Sequence, residues 1–175
     1  IFRRLEKEGA ETINLVNPTH FVAAVRESLL LYKPSVPVVY NSGGYDRPET
    51  LRILEGLIDV YLPDWKYVSQ ELGELYSGAA NYCTAVKESV AEMVRQTGPA
   101  IFNDKGILLK GTLVRHLILP GRVEESKAIL RWIAGELPGA WVSLMAQYVP
   151  MGNVAGVDQL ERRLTQEEYD EVVVI

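Results

Sequence analysis

A chain of 175 residues, 47% hydrophobic and 23% charged, has the size and composition of one globular domain, which excludes a disordered or fibrous protein. Its 18 Lys and Arg stand against 23 Asp and Glu, and the net charge of −5 speaks against a dedicated nucleic-acid binder. A single cysteine, Cys83, excludes an internal disulfide and any metal or iron–sulfur site built from several cysteines of these residues. No apolar run approaches the ~20 residues of a membrane span, and no signal peptide opens the chain, so a cytoplasmic protein without a membrane partner is expected.

The opening IFRRLEKEGA reads as the closing half of a charged helix. Five short apolar, β-branched runs follow: Ile13–Val16, Val36–Tyr40, Ile58–Leu62, Leu113–Leu119 and Val142–Met145. Their starts lie 22 to 29 residues apart, save one interval of 55, which is the repeat of a parallel α/β sheet with one double unit. Between them run stretches of helical period. Phe21, Val25, Ser28, Leu29 and Tyr32 share one face, and Asp46 with Glu49 brackets Pro48 as a capping signature. Val86, Val90, Met93 and Val94 form another face, and Leu130, Ile133, Ala134 and Leu137 a last one. Residues 97–111, with Gly-Pro and Asn-Asp-Lys-Gly, read as a hairpin-like insertion within a single domain spanning 1–175. The final TQEEYDEVVVI starts as a helix and stops at an apolar run, so both chain ends are expected to be cut from a longer protein.

An open doubly wound sheet and part of a barrel both place their chemistry at the carboxyl ends of the strands. After the first run come Asn17, Pro18, Thr19 and His20. Asn17 and Pro18 suit a helix start, while Thr19 and His20 either bind a ligand or cover that start. After the second come Asn41, Ser42 and two glycines, without a third glycine or a Walker lysine, so a nucleotide-phosphate loop is disfavoured. After the third, Asp64 and Lys66 share a face, and could hold the two ends of a zwitterion or simply pair with each other. Arg115 and His116 lie inside the fourth run and face opposite sides. A charge there needs a partner, either a ligand carboxylate or a carboxylate such as Asp64. The fifth run ends in Gln147 and Tyr148, which could stack on a ring or only pack.

Taken in order, the phrases VVYNSGGY, IDVYLPDWKY, ELYSGAANY with AVKESVAEMVRQTG, GTLVRHLILPG and VSLMAQYVP resemble one family across about Thr12 to Tyr169. It is the radical S-adenosylmethionine proteins similar to pyruvate formate-lyase activating enzyme, in their PflX-like branch. The resemblance implies a partial (βα)6 TIM-like barrel with S-adenosylmethionine across the strand ends. It also implies a [4Fe–4S] cluster held by a C-x-x-x-C-x-x-C loop, fed by an external electron donor. The product is a 5′-deoxyadenosyl radical that takes hydrogen from a glycine of a glycyl-radical enzyme or from another substrate. That cysteine loop is absent here, so the resemblance places the cluster ligands and first strand upstream of Ile1. The five runs become strands two to six, these residues alone are inactive, and an exposed sheet edge invites a dimer.

The family's Gly-Gly-Glu element is replaced by Val16-Asn17-Pro18-Thr19-His20, with Thr19 and His20 the nearest substitutes. Asp64, Lys66 and Arg115 match family residues at the ligand's carboxylate end, Asn41 and Ser42 match its strand-end turn, and Tyr148 stands near the adenosine. Two other readings remain open: a barrel lyase using Lys66 as a Schiff-base amine, and a degenerate barrel that binds a ligand or partner without redox chemistry.

Overall fold

The computed structural model describes residues 1–152, 154–157 and 159–174. After a short helix, α1 (Phe2–Lys7), strand β1 (Ile13–Val16) leads through a 3₁₀ turn (Pro18–Phe21) into α2 (Val22–Leu31). Then come β2 (Val38–Ser42), α3 (Pro48–Arg52), β3 (Val60–Pro63), α4 (Gln70–Ser77) and α5 (Tyr82–Thr97). The chain closes with β4 (Ile101–Phe102), β5 (Leu108–Leu117), α6 (Val123–Glu136), β6 (Trp141–Met145) and α7 (Gln166–Val173). Among the described residues no helix is long and apolar enough to cross a membrane.

All five predicted strands are present and parallel, in the spatial order β1-β2-β3-β5-β6, with β4 antiparallel to the start of β5. The sheet is open, with β1 and β6 at its edges. An order that never reverses excludes the doubly wound arrangement, which needs a reversal to place helices on both faces. With right-handed crossovers it puts the helices on one face. Both apolar clusters of the core lie on that face. One joins Val38, Tyr40 and Tyr61 to Leu29, Leu51, Leu54 and Met93. The other joins Val114 to Val86, Val90, Ile129 and Ile133. The opposite face carries Leu62, Leu113, Arg115, Leu117 and Met145, all only partly buried.

Local sequence explains most element bounds. β2 is buried along its whole length, as suits a central parallel strand, with an apolar start (Val38–Tyr40) and a polar end at Asn41 and Ser42. It starts at Val38 because Pro37 has no N–H to give, although its carbonyl accepts from Ile13 (2.9 Å). β5 begins five residues earlier than its apolar run, because its first residues pair with β4 across a turn at Asn103–Gly106.

Three readings of helix signals are corrected. The face Phe21–Tyr32 holds only in part: Val25 and Leu29 pack on the core, but the 3₁₀ turn, with three residues per turn, breaks the phase, leaving Phe21 exposed and burying Val22 in its place. Asp46 does not cap α3, whose N-cap is Arg47 without a side-chain bond. Asn17 precedes its turn in a left-handed conformation (φ 50°) and makes no capping bond.

One buried polar group ties three elements together. His116, 1% exposed, lies within 2.7 Å of the Trp65 carbonyl through Nδ1 and 2.8 Å of Ser126 Oγ through Nε2. A carbonyl only accepts, so Nδ1 carries the proton and Nε2 accepts from the serine hydroxyl. Burial pushes the His116 pKa below its ordinary value, against the opposing pull of the Trp65 carbonyl and Glu125. The unfolded chain therefore takes up a proton near pH 6.5 that the folded chain refuses, and stability falls as pH drops through that value. Urea unfolding at pH 7.5 and 5.5 is expected to show a loss of about 1 kcal/mol that His116→Asn removes. An unchanged midpoint in the parent chain would show that His116 is not held neutral.

Candidate functional site

The carboxyl ends of β2, β3 and β5 are drawn together by one guanidinium. Arg115 projects from the partly open face of β5, and its Nε and Nη2 lie 2.7 and 2.6 Å from Asp64 Oδ1. Nη2 also donates to Asn41 Oδ1 at the end of β2 (2.9 Å). Among the described residues, Arg115 Nη1 and Asp64 Oδ2 take part in no bond. The pair is about one-quarter exposed (29% and 27%), so the unused donors and acceptor face a wet cavity rather than a sealed core.

That cavity, about 270 Å³, is lined by Asp64, Lys66, Tyr67, Arg115, Leu117, Leu119 and Met145. Its floor is apolar and its rim charged. Lys66 is exposed, and among the described residues its ammonium has no ion-pair partner. Lys66 and Arg115 against Asp64 leave one net positive charge at the mouth, which selects for an anionic group. The volume lies just under the ~300–1,000 Å³ of ordinary ligand pockets, so it suits one end of a larger ligand.

The loop that presents Lys66 is pinned at nearly every backbone polar group. Trp65 N–H donates to the Arg115 carbonyl (2.9 Å), and the Trp65 carbonyl meets His116. Lys66 N–H donates to Tyr82 Oη (2.9 Å), whose hydroxyl points to the Asp64 carbonyl (3.4 Å). Burial pushes the Tyr82 phenol far above its usual range, so it keeps the proton this bond needs. Glu125, at the start of α6, accepts from Val68 and Ser69 N–H (2.8 and 2.9 Å). Gly44 packs under the same loop with φ +75°, where a Cβ would sit 2.2 Å from the Asp64 carbonyl oxygen.

Of the residues singled out in the sequence, Asn41, Asp64, Lys66 and Arg115 are brought together. The others lie elsewhere. Ser42 Oγ and Thr19 Oγ1 both donate to Asp46 (2.6 and 2.7 Å), and Tyr40 Oη joins them at 2.9 Å. This buried carboxylate ties the 3₁₀ turn to the end of β2 and leaves the Thr19 hydroxyl occupied. Asp46 went unnoticed as a hub because its D-x-x-E spacing reads equally well as a helix cap. His20 is exposed and is not among the residues that line the cavity. Tyr148 donates to the Leu160 carbonyl (2.8 Å) and so anchors the segment after β6. Tyr67, Leu117, Leu119 and Met145 line the cavity without having been marked as a site. An alternation count from Arg115 finds Leu117 and Leu119, but nothing local reveals Tyr67.

No family profile matches the chain. An uncharacterized protein of Methanocaldococcus jannaschii is 28% identical over 171 residues, which cover 96% of this chain and 46% of that protein. The chain thus spans about half the length of the curated relative it matches.

Because Arg115 and Asp64 share two short bonds in a partly desolvated place, Asp64→Ala and Arg115→Ala are each expected to cost about 2 kcal/mol. The double variant should fall short of the sum by about 1 kcal/mol or more in urea unfolding. Strict additivity would mean that the pair does not act as one unit.

Proposed function

We propose that this chain is the ligand-binding part of a radical S-adenosylmethionine enzyme of the activating-enzyme type, its five parallel strands belonging to a partial (βα)6 barrel. The observation that carries the reading is the mouth itself. A net positive rim of Lys66 and Arg115 stands over an apolar floor at the carboxyl ends of adjacent strands. The unreversed strand order and one-sided helices support a barrel segment, and the five sequence phrases support the family.

In this reading Lys66 Nζ and Arg115 Nη1 hold the ligand's carboxylate by charge-assisted hydrogen bonds. Asp64 Oδ2 accepts from a donor on the ligand, and Leu117, Leu119 and Met145 keep water from its apolar side. S-adenosylmethionine supplies the 5′-deoxyadenosyl group that the family turns into a hydrogen-abstracting radical, directed at a glycine of a partner enzyme or at another substrate. A [4Fe–4S] cluster does not fit these residues. It needs several thiolates, and Cys83 stands alone; among the described residues no group of His, Cys, Asp and Glu could hold a metal ion. The cluster's cysteines belong to polypeptide outside these 175 residues, and this chain by itself is inactive in cleavage.

Calorimetry with S-adenosylmethionine and with 5′-methylthioadenosine, which lacks the aminocarboxypropyl arm, tests the assignment. Lys66→Ala is expected to weaken S-adenosylmethionine roughly tenfold, about 1.4 kcal/mol, and to leave methylthioadenosine unchanged. No binding of S-adenosylmethionine, or equal losses for both ligands, would sink the reading.

A further inference from the structure

We infer that His116 is a positioning residue for the mouth, fixing the direction in which Lys66 leaves the backbone while touching no ligand. The inference rests on the reading that Lys66 meets a ligand carboxylate. Two consecutive residues of β5 straddle the sheet. Arg115 takes the Asp64 side chain on the open face, and His116 takes the Trp65 carbonyl on the helix face.

The peptide unit between Trp65 and Lys66 is planar, so its carbonyl and its N–H turn together. His116 Nδ1 holds the carbonyl end at 2.7 Å, and Tyr82 Oη holds the N–H end at 2.9 Å. A plane gripped at both ends does not rotate, so the N–Cα bond from which Lys66 projects is fixed in direction and only its φ is left to orient Cβ. The lysine itself is exposed, so nothing beyond its backbone directs it.

Ser126 completes the device. Its hydroxyl donates to Nε2 and so keeps the ring in the tautomer whose Nδ1–H faces the carbonyl. Its other acceptor, the Arg122 carbonyl, lies 3.5 Å away and is the poorer partner. The arrangement parallels the outer-shell bonds that orient ligand-bearing side chains in other sites. Trp65 adds bulk to the same end: fully buried, it packs edge-on against Trp132 at 5.0 Å and donates its indole N–H to the Tyr67 carbonyl (3.0 Å).

Two substitutions separate positioning from mere filling. In His116→Asn the amide nitrogen occupies the place of Nδ1 and can still serve the Trp65 carbonyl. In His116→Gln it reaches instead the place of Nε2 and serves Ser126. Gln fills the space better, so a role in packing alone predicts that Gln is the milder change.

Positioning predicts the reverse. His116→Asn should keep the hydrogen-exchange rate of the Lys66 amide and the affinity for S-adenosylmethionine within about twofold, and His116→Gln should change both by roughly tenfold. Equal effects, or the opposite order, would overturn the inference. If the parent chain binds no S-adenosylmethionine, the ligand reading falls, and the exchange order alone decides the role of His116. Should His116→Asn not fold, Ser126→Ala decides it. Ring ¹⁵N shifts should then show a mixture of tautomers together with faster Lys66 exchange, and an unaltered Lys66 amide would overturn the role.

Discussion

A guanidinium placed on an otherwise apolar strand face is the constraint on which this structure turns. Arg115 lies two residues from Leu113 and Leu117 on the same side of β5, where an unpaired charge would be severely penalised. Asp64 and Asn41 satisfy it, and they come from the end of the neighbouring strand β3 and the end of β2, one strand further. The pairing therefore fixes more than a charge. It aligns the ends of β2, β3 and β5, beyond the last regular ladder pair of β3 with β5 (Tyr61 with Thr112). The close approach of Gly44 to the Asp64 carbonyl and the pinning of the Asp64–Ser69 loop both depend on that alignment.

The two faces of the sheet divide the work. Toward the helices, large side chains such as Tyr40, Tyr61, Trp65 and Met93 are sealed from water and provide stability. Most buried polar groups on that side find a partner: His116 with Trp65 and Ser126, Thr97 with Thr112, and Asp46 with three hydroxyls, while the Ser89 hydroxyl on α5 is buried without one among the described residues. Toward the other face Val39 and Val60 are still buried, but the carboxyl ends of β3, β5 and β6 stay half wet at Leu62, Arg115, Leu117 and Met145, and there the charged rim of the cavity sits. Rigidity comes from the closed side, and access from the open one. A loop held by its backbone leaves the Lys66 side chain free, which suits a group that must meet something from outside.

Much of this was legible along the chain. Parallel strands announce themselves as short β-branched runs at regular spacing, because each must follow a loop, a helix and a return across the sheet. Helix α5 was equally clear, since Val86, Val90 and Met93 recur at one face and all are fully buried. The phases of α2 and α6 were harder to read. A 3₁₀ turn resets the first, and the second buries Ile129 and Ile133 while Leu130 and Ala134 face a groove between α6, β6 and α7. At the mouth, Asp64, Lys66 and Arg115 stood out because charges at the end of buried strands demand an explanation. Ser42 and Asn41 could not be told apart, although alternation sends one to the Asp46 hub and the other to Arg115.

By itself, the order of residues determined the number of parallel strands, the end of the sheet at which polar groups gather, and the need of Arg115 for an acidic partner. Those follow from local periodicity and from the desolvation of a charge, both of which act over a few residues. The tertiary structure decided which carboxylate answered that need, with Asp64 51 residues away in the chain. It also decided that Asp46, Thr19 and Ser42 form a separate hub, and that His116 grips the backbone beneath Lys66. Such choices depend on strand register and on which face each side chain takes. A shift of one residue reverses every face, so only the packed sheet determines them.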